Sequence, residues 1–479
     1  MSNKFTTKCT KILVTVGSVD GNGSRENIEK ILKAGANGLR INFSHARYEQ
    51  VSQQVKWIRE LAEKEDRNVS ILADLQGPKI RLGNLKDDMT YEVKAGDELF
   101  LTYGIEHDGS NNLPTQYDLS KKVKKGERLY IFDGKINTDV VEVTDKTVKV
   151  IVKNDGFFTS RKGINLPDTD FAGEVLTEKD LKDLDYVLTE DFDYVGLSFV
   201  HLPSDVAVLR NILEKNDSSL RIISKVETRQ AIEKENLEEI VKESDGVMVA
   251  RGDMGFEAGV EVVPVVQRQI VKFCQKHCKF SIIATQMMSS MVDSPQPTRA
   301  EANDVANAAI QGADVVMLSE ESAVGKYPSE AVTEMRKILV YVQDNVAVKP
   351  LFEREPNNSD YRDALATSAV TLAEQLDAAA IIVESRSGEM ARNVAIHRPN
   401  RRIIAVSGVQ SVAQQLPLLY GTRSYYASDI HADYGVKIAK RLHAKGSFGE
   451  GPVTLVIVKS SNSQFEHSVA DTIFIKTLE

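Results

Sequence analysis

Short β-branched runs alternate with stretches of helical period along most of the chain. The run Lys11-Ile-Leu-Val-Thr-Val-Gly17 reads as a strand. Ser24 is placed to cap a helix with Ile28, Ile31 and Leu32 on one face, and Gly35 is placed to stop it. A second strand is predicted at 39–43, then a helix with Val51, Val55, Ile58 and Leu61 on one side, then a third strand at 70–74. The rhythm breaks from about Gly77 to Asn165. No long helical period occurs there, and alternating segments are punctuated by Lys94-Ala-Gly-Asp97, Asp108-Gly109, Asp133-Gly134 and Asp155-Gly156, which reads as a small all-β insertion.

The alternation resumes after Leu166, with strands predicted at 194–200, 221–226, 246–250, 280–285 and 313–319 and helices between them, such as 204–215 and 297–310. Eight strand–helix units in series, interrupted once after the third, predict a (β/α)₈ barrel carrying an inserted lid on its top face. A doubly wound sheet is the structural alternative, but neither Gly-x-Gly-x-x-Gly after the first strand nor a Gly-x-x-x-x-Gly-Lys loop is present. The polar stretch at 348–360, with Pro350 and Pro356, reads as a linker to a further α/β block with strands at 379–383, 402–406, 424–427, 453–458 and 472–476. The expected organisation is a barrel in two parts, 1–76 and 166–347, an inserted β lid at 77–165 and a separate C-terminal α/β domain at 348–479.

Composition changes this picture little. With 479 residues, 42% hydrophobic and 27% charged, the chain has the size and make-up of a multidomain globular protein. A net charge of −9 argues against non-specific nucleic-acid binding. No apolar run reaches the ~18 residues of a membrane span, and the polar start has no signal-peptide character, so a cytoplasmic protein is expected. Cys9, Cys274 and Cys278 are too few for a disulfide framework and fit a reducing compartment. Cys274 and Cys278 flank His277 one helical turn apart, and read as part of a helix with Ile270 and Phe273 rather than as a metal site.

Function in such a barrel sits where strands end. The second strand ends in Arg40, Asn42, Ser44 and His45; the third in Asp74, running on to Lys79 and Arg81; the fifth in Lys225 and Glu227. The sixth ends in Arg251-Gly-Asp253, the seventh in Thr285 and the eighth in Ser319, Glu320 and Glu321. Glu227 and Asp253 are hard oxygen ligands on adjacent strands and suit Mg²⁺, which takes one or two protein carboxylates and completes its shell with substrate and water. Lys225, two residues from Glu227, faces the same side of the strand. A cation beside such a metal site is the equipment of phosphoryl transfer, where positioning and charge neutralisation dominate. Arg40 offers a planar fork for phosphate or carboxylate, and the glycines of Ala250-Arg-Gly-Asp-Met-Gly255 allow backbone N–H groups to approach an anion. Taken singly, each feature also reads as a surface ion pair, a turn or a loop cap. Their occurrence at successive strand ends favours a site.

The same residues carry a resemblance. Arg40-Ile-Asn-Phe-Ser-His45, Asp74-Leu-Gln-Gly-Pro-Lys-Ile-Arg81, Ile223-Ser-Lys-Val-Glu227, Met248-Val-Ala-Arg-Gly-Asp-Met-Gly255, Ala284-Thr-Gln-Met287 and Pro297-Thr-Arg-Ala-Glu301 resemble the signature blocks of pyruvate kinases. The resemblance spans essentially the whole chain, and the run 225–327 is its most specific part. It implies transfer of the phosphoryl group of phosphoenolpyruvate to ADP. Lys225 would stabilise the group in flight, Arg40 would reach the transferred phosphate, and Glu227 and Asp253 would hold Mg²⁺, for which Mn²⁺ can substitute. The backbone of Arg251, Gly252 and Asp253 would take the substrate carboxylate, with Thr285 near the methylene carbon. Arg81, His45 and Lys162 would contact the nucleotide, and Ser319 and Glu321 would lie on the path of the proton that completes pyruvate. The resemblance also implies a homotetramer and a lid that closes on the nucleotide and excludes water.

Departures from the family pattern refine this. The monovalent-cation positions fall at Asn42, Ser44, Asp74 and Leu75, where the fourth is an aliphatic residue instead of Thr, and Lys79 stands where K⁺-dependent members carry Glu. The sequence resembles the K⁺-independent subgroup, with the Lys79 ammonium as a built-in cation. Ser319-Glu-Glu-Ser322 replaces Ser-Gly-Glu-Thr, and Ser18 replaces a proline. In the C-terminal domain, Ser385, Ser387 and Gly388 fit a cradle for a sugar-phosphate effector; Glu389 and Met390 add nothing for an anion, and fructose 1,6-bisphosphate is not the expected ligand. Two alternatives stay open: a Mg²⁺-dependent barrel lyase or mutase acting on phosphoenolpyruvate or pyruvate, and a non-catalytic regulatory homologue.

Overall fold

A computed structural model describes residues 9–132, 134–169, 175–351, 361–428, 433–459 and 471–479. Eight parallel strands close into a barrel: β1 (Lys11–Thr15), β2 (Gly38–Asn42), β3 (Ser70–Asp74), β4 (Tyr194–Leu197), β5 (Arg221–Val226), β6 (Gly246–Ala250), β7 (Phe280–Ala284) and β8 (Val315–Leu318). β1 pairs with both β2 and β8, and β3 pairs directly with β4 across the insertion point. Most barrel strands are apolar runs buried on both faces, as a parallel sheet wrapped in helices requires.

The helices begin and end where the side chains dictate. Ser24 Oγ accepts from the Asn27 amide to open Arg25–Ala34, and Gly35, at φ 120°, closes it. Thr298 and Glu301 form a reciprocal capping box at the start of Arg299–Ile310, two residues later than the sequence pattern places that helix. Helix Val263–Lys276 buries Ile270 and Cys274 on its inner face, and Cys278 lies just beyond its end. Among the described residues no group of three or more His, Cys, Asp or Glu side chains is arranged to hold a metal ion, and no helix is long and apolar enough to cross a membrane.

Five barrel strands end earlier than the sequence pattern suggests, β1 at Thr15 and β2 at Asn42 among them. β4 stops at Leu197 rather than 200 because Phe199 adopts φ 55°. β7 stops at Ala284 because Thr285 and Gln286 have φ of 68° and 52°. β8 covers only Val315–Leu318 of the expected 313–319. Left-handed backbone at non-glycine residues costs roughly 1–3 kcal/mol each, and three such residues, Phe199, Thr285 and Gln286, lie at the C-terminal mouth.

Between β3 and β4 the chain builds a separate all-β unit. Its six-stranded sheet runs in the order Ile164–Asn165, Arg128–Ile131, Ile136–Thr144, Thr147–Val152, Glu98–Tyr103 and Asn112–Thr115. The unit has its own core, including Leu99, Leu101, Leu129, Val148 and Val150. Its entry and exit strands are stitched together: Leu82 N–H donates to Lys162 O (2.9 Å) and Ile164 N–H to Ile80 O (2.9 Å). The C-terminal domain is a five-stranded sheet, with β9 (Ala380–Glu384), β10 (Arg402–Ser407), β11 (Thr422–Tyr426) and β12 (Val453–Lys459) parallel and β13 (Thr472–Leu478) antiparallel at one edge.

The barrel floor and the C-terminal domain share a buried polar seam. Arg398 donates to Asp314 Oδ2 (2.9 Å), Gly312 O (3.0 Å) and Ala395 O (2.8 Å). Asp314 also accepts from the amides of Ser281 (3.0 Å) and Tyr420 (3.2 Å), and the guanidinium lies 4.7 Å from the Tyr420 ring centre.

Candidate active site

The mouth of the barrel gathers charge because β2, β3, β5 and β6 each deliver one or two polar side chains at their ends, where lining apolar residues give way. Arg40 on β2 lays its guanidinium against Asp74 on β3 (Nε–Oδ2 2.7 Å) and donates from Nη1 to Thr15 Oγ1 on β1 (2.9 Å). The Thr15 hydroxyl passes its own proton to Leu318 O on β8 (2.8 Å), so one side chain links three strands and fixes Arg40. Lys225 on β5 donates to Ser198 Oγ (2.7 Å) and stands 3.6 Å from Asp74 Oδ1 and 3.7 Å from Glu227 Oε2. Those two carboxylate oxygens lie within ion-pair range of the ammonium but beyond a hydrogen bond.

Burial works against the Lys225 ammonium, and the Asp74 and Glu227 carboxylates more than offset it, holding its pKa above the ordinary lysine value. Glu227 is fully buried. Burial raises its pKa, Lys225 opposes the rise, and Asp253 adds to it. One Glu227 oxygen accepts from the Phe199 amide (2.6 Å). The other, Oε2, is buried with no hydrogen-bond partner, as is Asp74 Oδ1. A buried acceptor left unpaired costs about 1–3 kcal/mol or more when charged. Glu227 Oε2 and the partly exposed Asp253 carboxylate are the kind of hard oxygen donors that could hold a divalent cation completed by substrate and water. Lys79 reaches into the same space, with Nζ 3.3 Å from Asp253 Oδ1.

Asp253 lies in the first turn of helix Arg251–Ala258, which follows directly on β6. The Gly252 amide donates to Thr285 Oγ1 (2.8 Å), so the helix start and the end of β7 already face each other. The Arg251 side chain does not point to an open site. It is spent on Thr285 O (2.7 Å), Ala284 O (3.2 Å) and Asp304 (2.7 Å), leaving only its backbone for a ligand. Ser319 and Glu321 differ in a similar way. Both Glu321 oxygens accept backbone amides, from Met288 (3.0 Å) and Ser319 (2.7 Å), whereas Ser319 Oγ is buried without a partner.

Arg81 and Lys162 sit together on the paired entry and exit strands of the lid, where Arg81 bridges to Gly163. Arg81 Nη1 donates to Arg161 O (3.3 Å) and Lys162 Nζ lies 4.4 Å from the Phe132 ring centre. The His45 side chain lies outside the described part of the structure. Asn42 Oδ1 accepts from the Ser44 amide (3.1 Å), and the Leu75 side chain is buried and apolar. In the C-terminal domain Ser385 Oγ accepts from the Gly388 amide (3.0 Å) and Ser387 Oγ from the Glu389 amide (3.3 Å), with Gly388 at φ 75°. The loop at 460–469, which lacks the glycines usual in such effector sites, lies outside the described residues.

Thr15, Ser198, Phe199 and Asp304 are absent from the sequence-based site. The rule that located the others, reading each strand's C-terminal end, reaches Thr15 and Ser198 when applied to the first and fourth strands. Phe199 and Asp304 carry no such signal: one acts through its amide, the other by holding Arg251.

Two family models cover the chain: the pyruvate kinase barrel domain over residues 7–332 and the pyruvate kinase alpha/beta domain over 363–473. A pyruvate kinase of Thermotoga maritima is 40% identical over 418 residues, which is 86% of this chain and 87% of that protein. A pyruvate kinase of Staphylococcus aureus is 38% identical across 86% of this chain and 71% of its own length. A crystal structure of a pyruvate kinase from Cryptosporidium parvum superposes with a TM-score of 0.89 at 32% identity, covering 99% of this chain and 97% of that one. With barrel, inserted sheet and C-terminal domain all matched, the chain belongs to the pyruvate kinase family.

Proposed function

We propose that this protein moves the phosphoryl group of phosphoenolpyruvate to ADP, giving pyruvate and ATP, at the mouth of the barrel. The observation that carries the reading is the buried Lys225–Glu227–Asp74 cluster, in which a held ammonium stands beside two carboxylate oxygens that have no hydrogen-bond partner. A divalent cation held by Glu227 and Asp253, Mg²⁺ in this reading, supplies charge neutralisation for the phosphoryl oxygens. Lys225 and Arg40 flank the position of the transferred group. Both are preset, Lys225 by Ser198 and Arg40 by Thr15 and Asp74, so little reorganisation is needed when negative charge spreads over that group.

The substrate carboxylate is assigned to the backbone at the start of helix Arg251–Ala258, beside the Gly252 amide that Thr285 Oγ1 already engages. As the phosphorus–oxygen bond of phosphoenolpyruvate breaks and a bond to the terminal phosphate oxygen of ADP forms, the enolate left behind takes a proton at its methylene carbon. Ser319, with its hydroxyl unengaged, is the better placed of the two candidates to hand that proton on. Glu321 is committed to two amides and orients the Ser319 backbone. Arg81 and Lys162 at the lid edge serve the nucleotide, with closure of the lid excluding water that would otherwise hydrolyse the phosphoryl group.

The Lys79 ammonium supports turnover without K⁺. It approaches Asp253, while the fourth monovalent-cation position is the buried hydrocarbon of Leu75. The C-terminal loop at Ser385, Ser387 and Gly388 is read as an effector site for a phosphate-bearing sugar, and the assembly as a homotetramer, which light scattering would check.

Pyruvate formation is to be followed from phosphoenolpyruvate, ADP and Mg²⁺ in K⁺-free buffer, then with KCl. Rapid turnover that KCl raises less than about tenfold is expected. Strong activation by KCl removes the Lys79 reading alone. Product formation without ADP points to a barrel lyase, and no product under any condition, after a screen of phosphorylated sugars, points to a regulatory homologue.

A further inference from the structure

We infer that Ser198 and Phe199, the two residues leaving β4, are positioning residues that hold Lys225 and Glu227 apart and tie both to the lid hinge; this rests on the reading of that site proposed above.

Ser198 is fully buried, and a hydroxyl has one proton to give. It goes to Leu75 O (2.7 Å), so only lone pairs face the Lys225 ammonium, which donates to Ser198 at 2.7 Å. One of the three N–H groups of Lys225 is thereby fixed, and the charge is kept 3.7 Å from Glu227 Oε2. Without the hydroxyl only Asp74 Oδ1, at 3.6 Å, competes with Glu227 for the ammonium, and closing on Glu227 would neutralise the carboxylate oxygen that a divalent cation needs.

The next residue fixes the other half of the pair. Phe199 is held at φ 55°, a region that bulky side chains avoid, and this turns its amide onto Glu227 Oε1 (2.6 Å). The carboxylate is pinned by one oxygen and presents the other. Adjacent residues just past β4 thus set two functional groups at the end of β5.

The hinge of the lid rests on the same turn. Gly77 has φ 70°, and a Cβ there would stand 2.7 Å from Ser198 Cβ and 3.2 Å from Phe199 Cδ2. Its amide is tethered to Asp180 Oδ1 (3.0 Å), which leaves the residue little room to move without displacing the turn. Movement of the lid is passed through this contact to Lys225 and Glu227.

The test uses the full chain, with three readouts: steady-state kinetics, thermal melting, and Mn²⁺ binding by electron paramagnetic resonance in the absence of substrates. Ser198→Ala is expected to lower kcat about tenfold or more, to change KM for phosphoenolpyruvate less than about threefold, and to leave the melting temperature within about 2 °C. It should also weaken Mn²⁺ binding by about threefold or more, a change that a purely structural role would not produce. Ser198→Cys, which keeps a small group able to donate and accept, should regain part of both losses, and it carries the test if Ser198→Ala does not fold. Gly77→Ala should shift kcat and Mn²⁺ affinity in the same direction as Ser198→Ala. Parental kcat and Mn²⁺ affinity in Ser198→Ala overturn the inference, as does a fall in kcat explained by a lower melting temperature with unchanged Mn²⁺ affinity. If the parent makes no pyruvate yet Ser198→Ala still weakens Mn²⁺ binding, the function reading fails and the positioning role stands.

Discussion

Two clusters of buried charge in this protein resemble each other in composition and differ in how their hydrogen-bonding capacity is used. At the floor of the barrel, Arg398 and Asp314 are almost wholly inaccessible, and both Asp314 oxygens and all three guanidinium nitrogens have partners. At the mouth, Lys225, Glu227 and Asp74 are similarly enclosed, yet Glu227 Oε2 and Asp74 Oδ1 have no hydrogen-bond partner. A buried charge is tolerated when its polar atoms are met. The floor meets them internally and is a joint between domains. At the mouth two carboxylate oxygens are met by no hydrogen-bond donor among the described residues. The difference lies in hydrogen-bonding capacity left over, which burial and ion pairing alone do not register.

The comparison can be broken by removing one partner on each side. Asp314→Ala leaves Arg398 charged and unpaired inside the seam, and should cost about 3–5 kcal/mol of stability, read as a lower denaturant midpoint. The kinetics of whatever remains folded should be nearly parental. Lys225→Met should do the reverse, lowering kcat by about 10²-fold, roughly 2.7 kcal/mol of transition-state stabilisation, with a melting temperature close to the parent. If the Asp314 variant lost activity without losing stability, or the Lys225 variant unfolded, the division between floor and mouth would not hold.

A smaller effect sharpens it. Glu257, below the lid junction, is bonded to Asn165 (3.1 Å), and burial lifts its pKa to about 7. Its pKa in the unfolded chain is near the ordinary 4.5, so the native form holds more protons between these values. Stability should therefore fall as pH rises from about 4.5 to about 7, by about 1–3 kcal/mol, and level off above. Glu257→Gln should flatten that part of the profile in melts taken across the range. An unchanged slope would mean that the carboxyl is ionised at no cost.

Much of this was legible in the sequence, and the reasons are physical. Strands buried on both faces are written as unbroken apolar runs, and caps such as Ser24 and Thr298 are written in one residue. Arg40, Lys225, Glu227 and Asp253 stood out because a charged side chain at the end of an apolar strand is costly unless used. Ser198 is uncharged and Phe199 works through its amide, so neither looks out of place beside Leu197. The left-handed turn that makes them useful is a property of the folded backbone. Arg251 enters the expected site through its backbone, and its guanidinium is consumed by the carbonyls of Ala284 and Thr285 and by Asp304, which no local pattern announces. Arg398 and Asp314 are separated by 84 positions with no local pattern to join them, and only the packing of the two domains reveals the pair.

The stitched base of the lid has a consequence for how the chain acquires its shape. β3 and β4 are neighbours in the closed barrel, but the whole insertion separates them along the chain. Left unstructured, that span would be a long loop to close, with an entropic cost that grows by about 0.6 kcal/mol per doubling of length. Once the lid sheet forms, pairing at Arg81 and Gly163 brings its two ends together, and the loop shrinks to residues 75–80 on one side and 164–193 on the other. The order of assembly favoured by this arrangement is lid first and barrel closure second, the insertion acting as a clasp for the two halves it interrupts.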